Sequence, residues 1–232
     1  MMTEAKGCKW NLTAYLKNFS LLKSSRIYPT QKDNSIGGEE FMRDEIEKPV
    51  KEHQQVIKEM NLACGNQIDA LGKALIDTLK KGNKILVFGN GGSAADAQHL
   101  ACELVGTFQE KTRRALPAIA LTTNASSLTS ISNDFSYDAV FKRQIEALAQ
   151  PGDLCLGIST SGNAGNVYEG LKYARERGLA AVALLGSGGG KAKDVANLAV
   201  IVPSKSTPRI QEAHILIIHI LCAMIDETFS RD

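Results

Sequence analysis

Histidine is scarce in this chain, with four in 232 positions: His53, His99, His214 and His219. No window approaches the roughly 18 consecutive apolar residues of a membrane span, which excludes a membrane helix. Neither sign of charge is in excess, 27 basic against 25 acidic residues, so the footprint of a dedicated nucleic-acid binder is missing. The five cysteines (Cys8, Cys64, Cys102, Cys155 and Cys222) are odd in number and form no C-x-x-C pair, which excludes a disulfide framework and a zinc ribbon. Cys102, Cys155 and Cys222 lie in apolar runs and are expected to be buried, reduced thiols of a cytoplasmic protein. No repeat of solenoid period is present. What remains, 44% hydrophobic and 22% charged, is a globular chain long enough for one substantial core, with two small domains as the alternative split.

The first 41 residues differ from the rest. Up to Lys32 there are six Lys or Arg and one acid, Glu4. No apolar run follows the basic residues, so this is no secretory signal. A transit peptide fits the basic, acid-poor composition; a loosely ordered extension, or an upstream start with Met42 as the true beginning, is the expectation. Residues 42–232 then read as one domain. From Glu45 to Lys81 apolar residues recur every three or four positions, predicting helix, with Gly65 and Asn66 as an expected break and Gly82 as a C-cap.

Beyond Gly82 strands and helices alternate. The predicted strands are 85–88, 116–122, 154–158, 180–185 and 198–202. Helices are expected over 94–105, 128–131, 139–149, 166–177 and 209–229. Continuous apolar strands separated by helices indicate a parallel sheet covered on both faces. The expected class is α/β, a doubly wound five-stranded parallel sheet of flavodoxin-like order preceded by a helical segment.

In such sheets ligands bind beyond the carboxyl ends of the strands, at helix N-termini. Two strand ends carry small polar residues and glycines: Gly89-Asn90-Gly91-Gly92-Ser93 and Ser159-Thr160-Ser161-Gly162-Asn163. Their backbones can approach an anion, and the helix that follows supplies N–H groups, so a phosphate-bearing ligand is expected. Two nucleotide readings fail. Gly89-x-Gly91-x-x-Ala94 matches a dinucleotide fingerprint, but the next strand ends Leu121-Thr122-Thr123-Asn124, without the acid that would hold a ribose. Gly188-Gly189-Gly190-Lys191 suggests a P-loop, yet Ala192 stands where a hydroxyl must bind magnesium.

A second constellation lies on the helices. His99 and Glu103, four apart, project from one helix face and form half of a divalent metal site or an ion pair. The last helix carries Gln211, Glu212, His214 and His219. His219 stands between Ile218 and Ile220, a poor place for a charge without a partner. Gln211 and His219 are about 12 Å apart along a helix axis. Either one of them alone is a ligand within a chain, or the site combines helices from two subunits; the second is the expectation. His214 points roughly 140° from His219 and should not share its site.

These blocks, 89–104, Ser132-Asn133-Asp134, 157–163 and 209–219, occur in order and resemble those of the phosphoheptose isomerases, a family of SIS-domain proteins. The resemblance covers about residues 45–230. It implies conversion of D-sedoheptulose 7-phosphate to D-glycero-D-manno-heptose 7-phosphate, the first step towards activated heptose for lipopolysaccharide or other surface glycans. It further implies a cytoplasmic homotetramer with active sites between subunits. One zinc per subunit would be held by His99, Glu103, Gln211 and His219, with Glu103 and His219 as the acid/base pair. Asn90, Gly91, Gly92, Ser93, Asn133, Asp134, Ser159, Thr160, Ser161 and Gln211 are the implied substrate-binding positions. Ala164 departs from the family, which often has a second serine there. A rival within the same fold is a non-catalytic module that binds sugar phosphates or a replication initiator. Retention of both Glu103 and His219 favours the enzyme.

Overall fold

The structure is a computed structural model that describes residues 35–230, with side chains from residue 43 onward. Of the extension expected over residues 1–41, residues 1–34 lie outside the described residues. Residues 46–230 belong to one compact unit.

Helix α1 (Ser35–Lys80) opens the described chain, so helix begins inside the segment expected to be loosely ordered. The expected break at Gly65 and Asn66 does not occur. Gly65 is exposed, a Cβ there would meet nothing within 4 Å, and the glycine costs about 1 kcal/mol of helix propensity at most. Against that, Met60, Cys64, Ile68, Leu71, Leu75 and Leu79 form one unbroken buried stripe through the site. Burial of that stripe outweighs the glycine. The helix closes as expected, the Gly82 N–H donating to the Leu79 carbonyl at 3.1 Å.

Five strands follow: β1 (Ile85–Gly89), β2 (Ala118–Ala120), β3 (Leu154–Ser159), β4 (Ala180–Leu185) and β5 (Leu198–Ile201). All pair in parallel in the order β2-β1-β3-β4-β5, the flavodoxin-like arrangement. β1 and β3 are buried at every position, which accounts for their continuous apolar runs. β2 is shorter than expected. Pro117, at its start, has no N–H for a ladder, and the strand lies at the sheet edge.

The helices between the strands are α2 (Gly92–Val105), α3 (Ala125–Asp134), α4 (Val140–Leu148), α5 (Gly165–Glu176), α6 (Ala192–Val195) and α7 (Thr207–Phe229). One core gathers α1, α2 and α7 on one face of the sheet, with Leu71, Leu75, Leu100, Ile217 and Leu221 fully buried. The second core packs α4 and α5 on the other face around Phe88, Phe141 and Leu171. Among the described residues no helix is long and apolar enough to cross a membrane. Cys64, Cys155 and Cys222 are buried thiols, and burial pushes the last two up to about 12. Cys102, expected to be buried, is exposed instead; it shares the outer face of α2 with exposed Val105.

Candidate active site

The first glycine-rich turn carries β1 into α2 and the second carries β3 into α5, so both open at the carboxyl edge of two neighbouring strands. Between them lies a cavity of about 190 Å³ lined by Asn90, Ser93, Ile158, Ser159, Thr160, Ser161 and Ala164. The second turn is braced from within. The Ser159 hydroxyl accepts from the Gly162 N–H at 3.1 Å, and the Ser161 hydroxyl accepts from the Asn163 N–H at 3.1 Å. Ala164, which lines the cavity, is the N-cap of α5 and offers no side-chain acceptor, which leaves the first-turn N–H groups without a side-chain cap.

The run rejected as a P-loop has a structural task at this turn. Gly162 adopts φ +64°, and a Cβ there would stand 2.0 Å from the Gly189 carbonyl oxygen. The two backbones therefore touch, and only glycine permits it. The Ala192 N–H donates to the Gly162 carbonyl at 2.9 Å and the Lys191 N–H to Asn163 Oδ1 at 3.2 Å.

Asn90 is held by residues that carried no signal in the sequence. Its amide exchanges two hydrogen bonds with Asn166, at 2.8 and 2.9 Å, and its oxygen accepts from the Tyr137 hydroxyl at 3.0 Å. Asn166 follows the second turn on α5, and facing amides at two adjacent helix starts are the feature that could have revealed it. Asn133 and Asp134 end α3, are exposed and bond to one another at 2.9 Å. The fold does not bring them to the cavity lining.

The helical residues meet elsewhere. α2 and α7 run side by side, and the Nε2 atoms of His99 and His219 lie 3.0 Å apart. Glu103 Oε1 lies 3.4 Å from His99 Nε2, and Phe108 stacks on the His219 ring at 5.4 Å between centroids. His99, Glu103 and His219 thus converge within one chain. Gln211 does not join them. Its side chain lies against Gly92, where a Cβ would stand 2.2 Å from the amide nitrogen, and it is about 12 Å from His219 along α7. Asp96, between Ser93 and His99 on α2, is buried with one carboxyl oxygen unpaired. Burial pushes its pKa up to about 6, opposed by the nearby His99 charge.

His214 is fully buried and separate from this group; its Nε2–H donates to the Leu185 carbonyl at 3.1 Å, and burial holds its pKa down to about 4. His53, on α1, pairs with Glu212 near the start of α7 at 2.7 Å. Among the described residues no three His, Cys, Asp or Glu side chains form a metal cage. His99, Glu103 and His219 are nonetheless residue types that ligate zinc, with 3.0 and 3.4 Å between neighbouring donor atoms.

Two glycine- and hydroxyl-rich turns thus open at the ends of adjacent parallel strands, an arrangement suited to a phosphate group, while a carboxylate and paired imidazoles converge further along α2. The SIS-domain family model matches residues 50–186. Over 186 residues the chain is 51% identical to the phosphoheptose isomerase of Geobacter metallireducens, covering 80% of this chain and 98% of that one. The solved phosphoheptose isomerase of Neisseria gonorrhoeae superposes with a TM-score of 0.76 at 40% identity, covering 80% of this chain and 99% of that one. That of Francisella tularensis gives 0.77 at 34% identity, with 80% and 98% covered. This chain belongs to the phosphoheptose isomerase family.

Proposed function

We propose that this chain is an aldose–ketose isomerase that converts D-sedoheptulose 7-phosphate to D-glycero-D-manno-heptose 7-phosphate. The observation that carries the reading is the convergence of Glu103 with His99 and His219 from two helices, in a chain half identical to phosphoheptose isomerases. The carbonyl moves from C2 to C1 when a proton leaves C1, an enediol forms, and a proton returns at C2. Glu103 takes the C1 proton and His219 moves the hydroxyl proton between O1 and O2. Tied to His99, the His219 ring has a fixed orientation for that transfer. Ser159, Thr160, Ser161 and the uncapped N–H groups of α5 hold the phosphate, while Asn90, Gly91, Gly92, Ser93 and Gln211 face the sugar. Asn133 and Asp134, exposed on α3, reach the sugar only through a second copy or on closure.

The homotetramer and zinc belong to the same proposal. Ser93 at the cavity and Glu103 are about 15 Å apart along α2, longer than an extended seven-carbon sugar phosphate. That gap, and the seat of Gln211 at Gly92, favour a site completed between subunits. His99, Glu103 and His219, with Gln211 of a second copy, would hold one zinc per subunit, which when bound polarises the substrate carbonyl. A cytoplasmic setting agrees with the unpaired buried thiols. The test is incubation with sedoheptulose 7-phosphate followed by NMR of the products. Appearance of heptose 7-phosphate anomers is expected; a folded protein without turnover under any metal loading would favour the non-catalytic sugar-phosphate-binding module.

A further inference from the structure

Glu103 and His219 sit on different helices, and the spacing between those helices is set by a group neither helix contains. Arg113 lies in the loop after α2, and its side chain is wholly buried. All five of its N–H groups are used. Nε donates to Asp226 Oδ1 at 2.6 Å, Nη1 to the carbonyls of Leu104 at 3.1 Å and Arg114 at 2.6 Å, and Nη2 to those of Glu103 at 2.7 Å and Gly106 at 3.1 Å. The carbonyls of Glu103 and Leu104 are among those a helix end leaves unpaired, so the guanidinium caps α2 at the residue that carries the base. Asp226 lies on α7, two turns beyond His219. Its second oxygen accepts from the N–H groups of Gln109 and Glu110 at 2.8 and 2.9 Å. Burial alone would raise its pKa, but those N–H groups and Arg113 hold the carboxyl below the usual range.

We infer that Arg113 and Asp226 are positioning residues for the isomerase reaction, a buried clamp that fixes the offset of the Glu103 helix against the His219 helix. A clamp of this form does more than hold the loop. Each bond to a carbonyl of α2 is opposed, through the same guanidinium, by the bond to α7, so any axial slip of one helix past the other breaks charged hydrogen bonds on both sides. Lysine could keep the charge pair with Asp226, but one ammonium cannot span the Glu103 and Leu104 carbonyls at the same time. The phosphate turn, on β3 and α5, is not tied to the clamp.

The kinetic part of the inference rests on the isomerase reading; the spectroscopic part does not. Arg113→Lys and Asp226→Asn in the full chain, checked for helicity and assembly, are measured for turnover of sedoheptulose 7-phosphate and for imidazole nitrogen signals by NMR without substrate. The expected result is a fall in kcat of about 10- to 100-fold, the cost of misplacing a reacting group by about 1 Å, with KM within about twofold of wild type. The His99 and His219 nitrogen signals should shift as their mutual bond loosens. Unchanged kcat and imidazole signals in either folded variant would overturn the clamp, as would a rise in KM with kcat intact. Should Arg113→Lys fail to fold, Asp226→Asn, which preserves shape, decides alone. Shifted imidazole signals in the variants, with a wild-type protein that does not turn over the heptulose, would leave the clamp standing and sink the substrate assignment.

Discussion

The Nε2 atoms of His99 and His219 meet at 3.0 Å across 120 residues of sequence. A nitrogen–nitrogen bond of that length requires one ring to donate and the other to present a bare lone pair. At least one imidazole of the pair is therefore neutral while the bond exists. A neutral ring beside a carboxylate is what a proton relay between two substrate oxygens needs, and the stacked Phe108 limits the rotation of the His219 ring.

Glu103→Gln tests the base directly. The amide keeps the shape of the side chain and its place 18% exposed beside His99, but it cannot accept a proton from carbon. We expect kcat to fall by about 10³-fold with KM changed little, in line with the usual contribution of a general base. Retention of near-normal turnover would remove Glu103 from the reaction.

Ala164→Ser asks what the phosphate cavity lacks. A serine at this N-cap can accept from a first-turn N–H of α5 while its own proton turns to a phosphate oxygen in the adjoining cavity. One charged hydrogen bond corresponds to a KM lowered by about tenfold, and the cap to about 1 kcal/mol of stability. Kinetics and thermal unfolding of the same variant read both. A more stable protein with unchanged KM would place the phosphate elsewhere.

The sheet was legible because each strand is a short, wholly apolar run between polar turns, and the strand order followed from those runs with their intervening helices. The site was legible only in halves. His99 and Glu103 share a face of one helix, so four-residue spacing revealed them. Their partner His219 is distant in sequence, and no periodicity of α7 announces which helix it will face. Asn166 and Tyr137 were missed for the same reason: each acts through a bond to Asn90 formed by the crossing of elements. The continuity of α1 through Gly65 was decided by the burial of one stripe, a tertiary effect that a local helix-breaking signal cannot report.

Asp153 offers a stability test at the opposite end of the strands. It is buried beside Lys84, whose ammonium lies 2.5 Å from its Oδ2, and it also accepts from the backbone N–H groups of Lys84 and Gln150. Asp153→Ala leaves those donors and a mostly buried ammonium without an acceptor, and should cost about 3–5 kcal/mol in denaturant unfolding. Activity per folded molecule should be unchanged, because the turns that form the site lie at the carboxyl ends. A loss of kcat in the folded variant would contradict that separation.

His214 sets a pH dependence whose sign can be worked out. Its folded pKa of about 4 lies below its ordinary value of 6.5, so between those values the unfolded chain binds the proton that the folded chain refuses. The stability associated with neutral His214 is complete above about pH 6.5 and is lost as the pH falls towards 4, by about 3 kcal/mol in all. Asp96 acts in the opposite sense over an overlapping range, since burial keeps its proton on in the folded state and favours folding at lower pH. The two are separated by comparing wild type with His214→Asn, in which the Asp96 contribution is common and cancels. Unfolding free energies from urea titrations at pH 4.5, 5.5 and 6.5 should show the wild type gaining on the variant as pH rises. A constant difference across those three values would mean that His214 accepts its proton in the folded state at no cost, which a ring fully buried against the Leu185 carbonyl should not do.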